Sequence, residues 1–243
     1  MGWRDITHNI SYVCPESSIG QAECRRCQIS TGFNPAFYNS NSVSAAQVQR
    51  NLEPHYLYLA DYGSDKVKVG ISHHARVLAR LLEQGARSAI IAERFPTANV
   101  ARQYEKLISN LPDFCESFRS DTKLKLLRQP YDFDGSKSRL NYAIHLIDRI
   151  LSLDIDKTEI IDLSSYYGDL SAVSADTQLL LPGNDTQLII GTIIAIVGTF
   201  IVLSHKDKLY ITNMKYYVGK KFDIVKYDDA IDLKLSVEQA TLF

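Results

Sequence analysis

Residues 55–105 read HYLYLADYGSDKVKVGISHHARVLARLLEQGARSAIIAERFPTANVARQYE. Two runs with period-two alternation, HYLYLA and KVKVGI, flank a turn at residues 61–65, which is the pattern of an antiparallel strand pair. Tyr56 and Tyr58 share one strand face and Leu57 and Leu59 the other. Lys66 and Lys68 share a face opposite Val67 and Val69, so pairing around the turn sets Tyr58 near Lys68. Gly70 reads as the end of the second strand, where a missing side chain leaves room for close approach. Ser72 or His73 is placed to cap a helix carrying Arg76 and Arg80, four apart and on one face. Leu78, Leu81 and Leu82 are expected to pack on the sheet. Gly85 suits a left-handed helix end. SAIIAERF then returns as a third, buried strand. Thr97 or Asn99 caps a second helix, with Val100, Tyr104, Leu107 and Leu111 as its apolar stripe and Glu105 just beside it.

Outward from this core, the chain divides into four parts. Residues 1–53 hold a cysteine-bearing segment and a polar connector with a short helix at 44–51. Residues 54–129 form the core. Residues 130–155 carry a linking amphipathic helix, with Ile144, Ile147 and Leu151 at helical spacing. Residues 156–243 read as short strands with tight turns, including TEIIDL, KLYITN and KFDIVKY, which predicts a small all-β barrel or sandwich. A hairpin turn is expected at 204–207. The class is α+β.

The chain has 243 residues and a net charge of −1. Residues 1–128 hold 16 Lys and Arg against 12 Asp and Glu, and the remainder 11 against 16. The mildly basic half is compatible with nucleic-acid contact. The longest apolar run, LIIGTIIAIVGTFIVL at 188–203, falls short of the ~20 residues of a spanning helix. It is β-branched and broken by glycines, so two buried strands fit better. The opening MGWRDITHNI lacks an apolar leader core. A cytoplasmic protein without membrane association is expected.

Cys24 and Cys27 form a C-x2-C pair, and Cys14 lies ten residues upstream. Short C-x2-C loops point two sulfurs at one ion. The surrounding segment lacks the apolar mass for a core, and a structural Zn2+ would supply the constraint. His8 is the nearest fourth ligand and Cys115 a distant second. The alternatives are a redox pair, for which no βαβ context is present, or plain small hydrophobes.

Leu57-Tyr58-Leu59-Ala60, Lys68-Val69-Gly70-Ile71, and Arg80 ahead of Gln84-Gly85-Ala86 together resemble a divergent branch of the GIY-YIG nuclease superfamily. The segment CPESSIGQAECRRC is similar to the cysteine cluster that precedes the core in that branch. The resemblance covers about residues 14–110. It implies a three-stranded sheet with flanking helices and a divalent-metal-dependent phosphodiester hydrolase acting on DNA or RNA. Carried over by position, Tyr58 would activate the attacking water, Arg80 would hold the phosphate and Glu105 would bind Mg2+ or Mn2+. The chemistry is coherent, because phosphodiester cleavage gathers negative charge that a guanidinium and a metal offset. The second-motif tyrosine is replaced here by Lys68, whose cation would favour a Tyr58 phenolate or contact phosphate. His73, with His74 beside it, is a further base candidate. Two other readings stand beside the hydrolase. One is a non-catalytic, zinc-containing nucleic-acid or ribonucleoprotein binding module. The other is a structural or partner-binding protein on a degenerate nuclease scaffold, with the C-terminal β domain as the protein-binding surface.

Overall fold

The computed structural model describes residues 2–5, 10–13, 45–151, 155, 159–181 and 189–218. The segment holding His8, Cys14, Cys24 and Cys27 lies outside the described residues, as does the expected strand KFDIVKY. Strands β1 (Gly2–Asp5) and β2 (Ile10–Val13) pair antiparallel. A short helix α1 (Ala45–Asn51) leads into the core.

The core sheet is built on β3 (His55–Asp61), β4 (Val67–His73) and β5 (Ser88–Phe95), with β3 central and antiparallel to both neighbours. β4 runs three residues past Gly70, beyond the end expected from the sequence. Two short edges widen the sheet to five strands. β6 (Phe114–Cys115) pairs parallel with β4, and β7 (Ile161–Asp162) antiparallel with β5.

Alternation along the strands gives the sheet two apolar faces. Leu57, Leu59, Val67, Val69, Ile71 and Ile90 pack under α3 (Ala98–Ser109) and α5 (Phe133–Leu151). Thr97 caps α3 through the Val100 N–H. Ala98, Ala101 and Ile108 are the fully covered positions of α3, while Leu107, expected inside, is 51% exposed. The helix is turned so that small residues meet the sheet, which lets its backbone lie close to β4.

Tyr58, Ala60 and Tyr62 belong to the opposite layer, with α2 (Val77–Gln84) and α4 (Ser120–Leu127). Leu81 is fully buried there and Gly85 closes α2 at φ 75°. Each such aliphatic side chain removed from water contributes about 1.5–3 kcal/mol.

The C-terminal strands form an open four-stranded sheet rather than a closed barrel. β8 (Gln178–Leu180), β11 (Lys208–Asn213), β10 (Phe200–His205) and β9 (Thr192–Val197) lie in that order. The long apolar run is the β9–β10 hairpin, and no helix among the described residues is long and apolar enough to cross a membrane. Lys206 and Asp207, at φ 48° and 58°, make the two-residue turn between β10 and β11, whose left-handed backbone matches strand twist. Val197, Phe200, Val202 and Ile211 pack into the same apolar layer as Tyr58 and Leu81. One face of this sheet therefore closes one face of the core. β9 leaves Ile193 and Ile196 exposed.

A buried ion pair ties the core sheet to α5. Asp61 is fully buried at the end of β3 and takes Arg139 Nε and Nη2 on its two oxygens, each at 2.9 Å. Ser136 Oγ and the Gly63 N–H also donate to Oδ2, at 2.7 and 3.0 Å. A buried carboxylate needs such complete pairing to be tolerated.

Candidate functional site

Tyr58 lies opposite Gly70 across the β3–β4 pair. A Cβ on Gly70 would overlap the Tyr58 ring and hydroxyl, so the glycine is what allows the tyrosine to lie flat over β4. A bulge between β3 and β5 falls at Leu57 and Tyr58 and adds twist at this point. Tyr58 is 1% exposed.

Its hydroxyl reaches Gln84, the last residue of α2. Oriented so that its oxygen faces donors, the Gln84 amide accepts from Tyr58 at 3.2 Å, from Arg80 Nε at 2.7 Å and from Arg80 Nη2 at 3.2 Å. The Tyr62 hydroxyl lies 3.4 Å from the other end of the amide. Gln84 thus fixes Arg80 against Tyr58 without supplying a charge. Arg80 itself is exposed.

Lys68 comes from β4 on the same face. Its Nζ sits 5.8 Å from the centre of the Tyr58 ring and donates to the Glu116 main-chain oxygen at 2.5 Å and to that of Val69 at 3.3 Å. Burial pushes its pKa down, while Glu105 pulls it up and Arg80 adds to the fall. Glu105 approaches from α3. Beyond Lys68 the outer edge of β4 has no partner in β6, and the Ile71 N–H there favours the charged Glu105 carboxylate. Burial nonetheless raises the Glu105 pKa above the usual carboxylate value. Lys68 opposes that rise and Glu116 adds to it.

Tyr58, Lys68 and Arg80, read from the sequence as part of one set, therefore gather on one face of the sheet, while Glu105 belongs to the helix on the other face and acts on Lys68 and Tyr58 by charge from the edge of β4. The expected effect of a cation on Tyr58 is outweighed, however. Arg80 does favour the phenolate, but burial pushes the Tyr58 pKa up to about 12. At neutral pH Tyr58 is a hydrogen-bond donor and not a base.

His73 is not part of this group. It ends β4, five residues beyond Lys68 and so ~17 Å along the strand. Its Nε2 lies 2.5 Å from Glu53 Oε2, and its Nδ1 accepts from the Ala75 N–H. It caps a 3-10 turn ahead of α2 and hydrogen-bonds Glu53. Glu53, His73 and His74 bring three ligand-type atoms within 4.8 Å of one another. They fit a metal poorly, because the Ala75 N–H occupies Nδ1 and forces the proton onto the Nε2 that would coordinate. Cys115, the distant zinc candidate, is a free thiol beside Lys68, with its pKa raised by burial.

Two further residues belong to the site. Gln84 is part of the motif that follows Arg80 but was not expected to hold it; its spacing of four places both on one helix face. Lys123 of α4 carried no signal at all. Its Nζ donates to the Gln84 main-chain oxygen at 2.6 Å and sits 5.0 Å over the Tyr62 ring.

Glu105 offers one carboxylate toward a divalent cation, and among the described residues no cluster of three ligand groups includes it. Mg2+ is commonly held by one or two carboxylates together with substrate phosphates. Glu105, half-buried and close to Glu116, is a carboxylate whose ionisation the surroundings do not fully support.

No curated protein and no solved structure matches the chain. A family model described as "Protein of unknown function (DUF2797)" matches residues 9–221, and the chain belongs to that family.

Proposed function

We propose that this protein is a nucleic-acid phosphodiesterase of the GIY-YIG kind, with a divalent-metal-dependent site at Tyr58, Lys68, Arg80 and Glu105. The observation that carries the reading is the grouping of Tyr58, Lys68 and Arg80 on one face of the sheet, with the Glu105 charge acting on Lys68 and Tyr58 from the edge of β4. Arg80, held by Gln84, presents a guanidinium to a phosphate, for which its planar donor fork is suited. Lys68 adds a second positive charge behind it. Tyr58 keeps its proton and orients the Gln84–Arg80 pair. Glu105 is the carboxylate for Mg2+ or Mn2+, and such an ion, when bound, polarises a phosphoryl oxygen as a Lewis acid. The test is cleavage of labelled DNA and RNA with and without Mn2+. We expect ion-dependent cutting, lost by roughly 10²-fold or more in Glu105→Ala and Arg80→Ala, with unchanged circular dichroism. Absence of cutting across substrates and ions rejects the hydrolase.

The burial of Tyr58 favours a second reading, in which the same site binds a phosphate backbone without cleaving it. Binding that weakens with salt, without cutting, would select it. In either reading the N-terminal segment is proposed to hold structural zinc on Cys14, Cys24, Cys27 and His8. Elemental analysis is expected to find about one Zn2+ per chain, lost in the Cys24→Ser/Cys27→Ser double variant, as a four-ligand site requires. A metal-free wild-type chain rejects the site.

A further inference from the structure

Lys68, Arg80 and Lys123 stand around Tyr58, Tyr62 and Gln84, and among the described residues none of them makes an ion pair. Each hydrogen-bonds to neutral acceptors: main-chain oxygens for the lysines and an amide oxygen for Arg80. Glu105 and Glu116 act on Lys68 by charge, whereas the charges that act on Lys123 are all positive. Lys123 lines one cavity with Phe200 of β10, which pairs with Asn213 at the end of β11; the exposed Lys215 follows two residues later, and its charge acts on Lys123. Gathering like charges costs stability, and a surface lined by one sign of charge draws in ligands of the opposite sign. The C-terminal sheet thus brings its own cation to the edge of the core's site.

Resting on the proposed phosphate site, we propose that a nucleic-acid backbone continues from Arg80 across Lys123 to Lys215, so that the C-terminal sheet forms part of the binding surface. The ligand is a strand with consecutive phosphates rather than a lone phosphate. Lys123 is its positioning residue between the two sheets. Burial, together with the charges of Lys68, Arg80 and Lys215, lowers the Lys123 pKa to about 8. The Tyr62 ring and the Gln84 carbonyl are its other neighbours. An approaching phosphate restores the missing counter-charge, so binding favours the protonated lysine and weakens as pH rises through about 8.

The experiment uses the full chain and a fluorescein-labelled 12-nucleotide single strand, without divalent ions, with anisotropy read over 50–200 mM salt. Wild type, Lys123→Met, Lys123→Arg, Lys215→Ala, Arg80→Ala and the distant control Lys137→Ala are compared. The slope of log K against log salt is expected to fall by about 0.7 in Lys123→Met and in Lys215→Ala, one phosphate contact each. Lys137→Ala keeps the wild-type slope. Wild-type affinity is expected to fall above pH 8, and Lys123→Arg to keep its affinity there, because arginine stays charged. Thermal midpoints check the fold. Lys123→Met should be as stable as wild type or more so at pH 7. A lysine with a lowered folded-state pKa opposes folding in full below about pH 8, and that penalty fades as pH rises toward its unfolded value of 10.5. Wild-type slopes in Lys123→Met and Lys215→Ala, with weakened binding in Arg80→Ala, overturn the extension and leave the core site standing. No binding by the wild type overturns both.

Discussion

At the scale of single residues, the site depends on a side chain that is absent. Gly70 gives Tyr58 the space to lie across β4, and Tyr58 in turn reaches the amide that holds Arg80. Gly70→Ala should therefore push the phenol off the strand. Overpacking of this kind costs about 1–3 kcal/mol, and the urea midpoint is expected to fall accordingly. The proposed phosphodiester cleavage should fall with it, because Arg80 loses its anchor. Tyr58→Phe is the milder comparison, since it removes one hydroxyl and keeps the ring. If Gly70→Ala unfolds with the wild-type midpoint, the close approach of ring and strand is not a constraint. The sequence showed Tyr58, Lys68 and Gly70 on facing strands, because period-two alternation fixes faces. It did not show that Tyr58 would be sealed, since burial depends on what the other layers place above it.

At the scale of elements, the question is how two helices are held to opposite faces of one sheet. Gly85 and Thr97 were legible as helix boundaries because caps are local: one needs a left-handed backbone, the other a side-chain oxygen. The stripe of α3 was misread at Leu107, because Ala101 and Ile108 take the covered side. Periodicity tells that a helix has a buried face, and packing against β4 decides which. The Asp61–Arg139 pair, 78 residues apart, had no sequence signature. Arg139→Met leaves a fully buried carboxylate without its cation, and such breaks cost about 3 kcal/mol or more. Chemical denaturation should show that loss, with α5 the first element to lose amide protection. A variant within ~0.5 kcal/mol of wild type would mean that Ser136 and Gly63 suffice to hold Asp61.

At the scale of the whole molecule, the alternating runs determined the antiparallel β3–β4–β5 arrangement, the α+β class and the β10–β11 hairpin. Each follows from side-chain periodicity and turn chemistry that act over a few residues. Tertiary structure decided the rest. It added β6 and β7 to the edges, kept the C-terminal strands as an open sheet, and laid that sheet on the core through Val197, Phe200 and Ile211. It also separated His73 from the cluster and brought in Gln84, Lys123 and Lys215. Those outcomes turn on which distant surfaces exclude water together and which charges meet there. Both are properties of the closed packing, and neither is written in the spacing of neighbours along the chain.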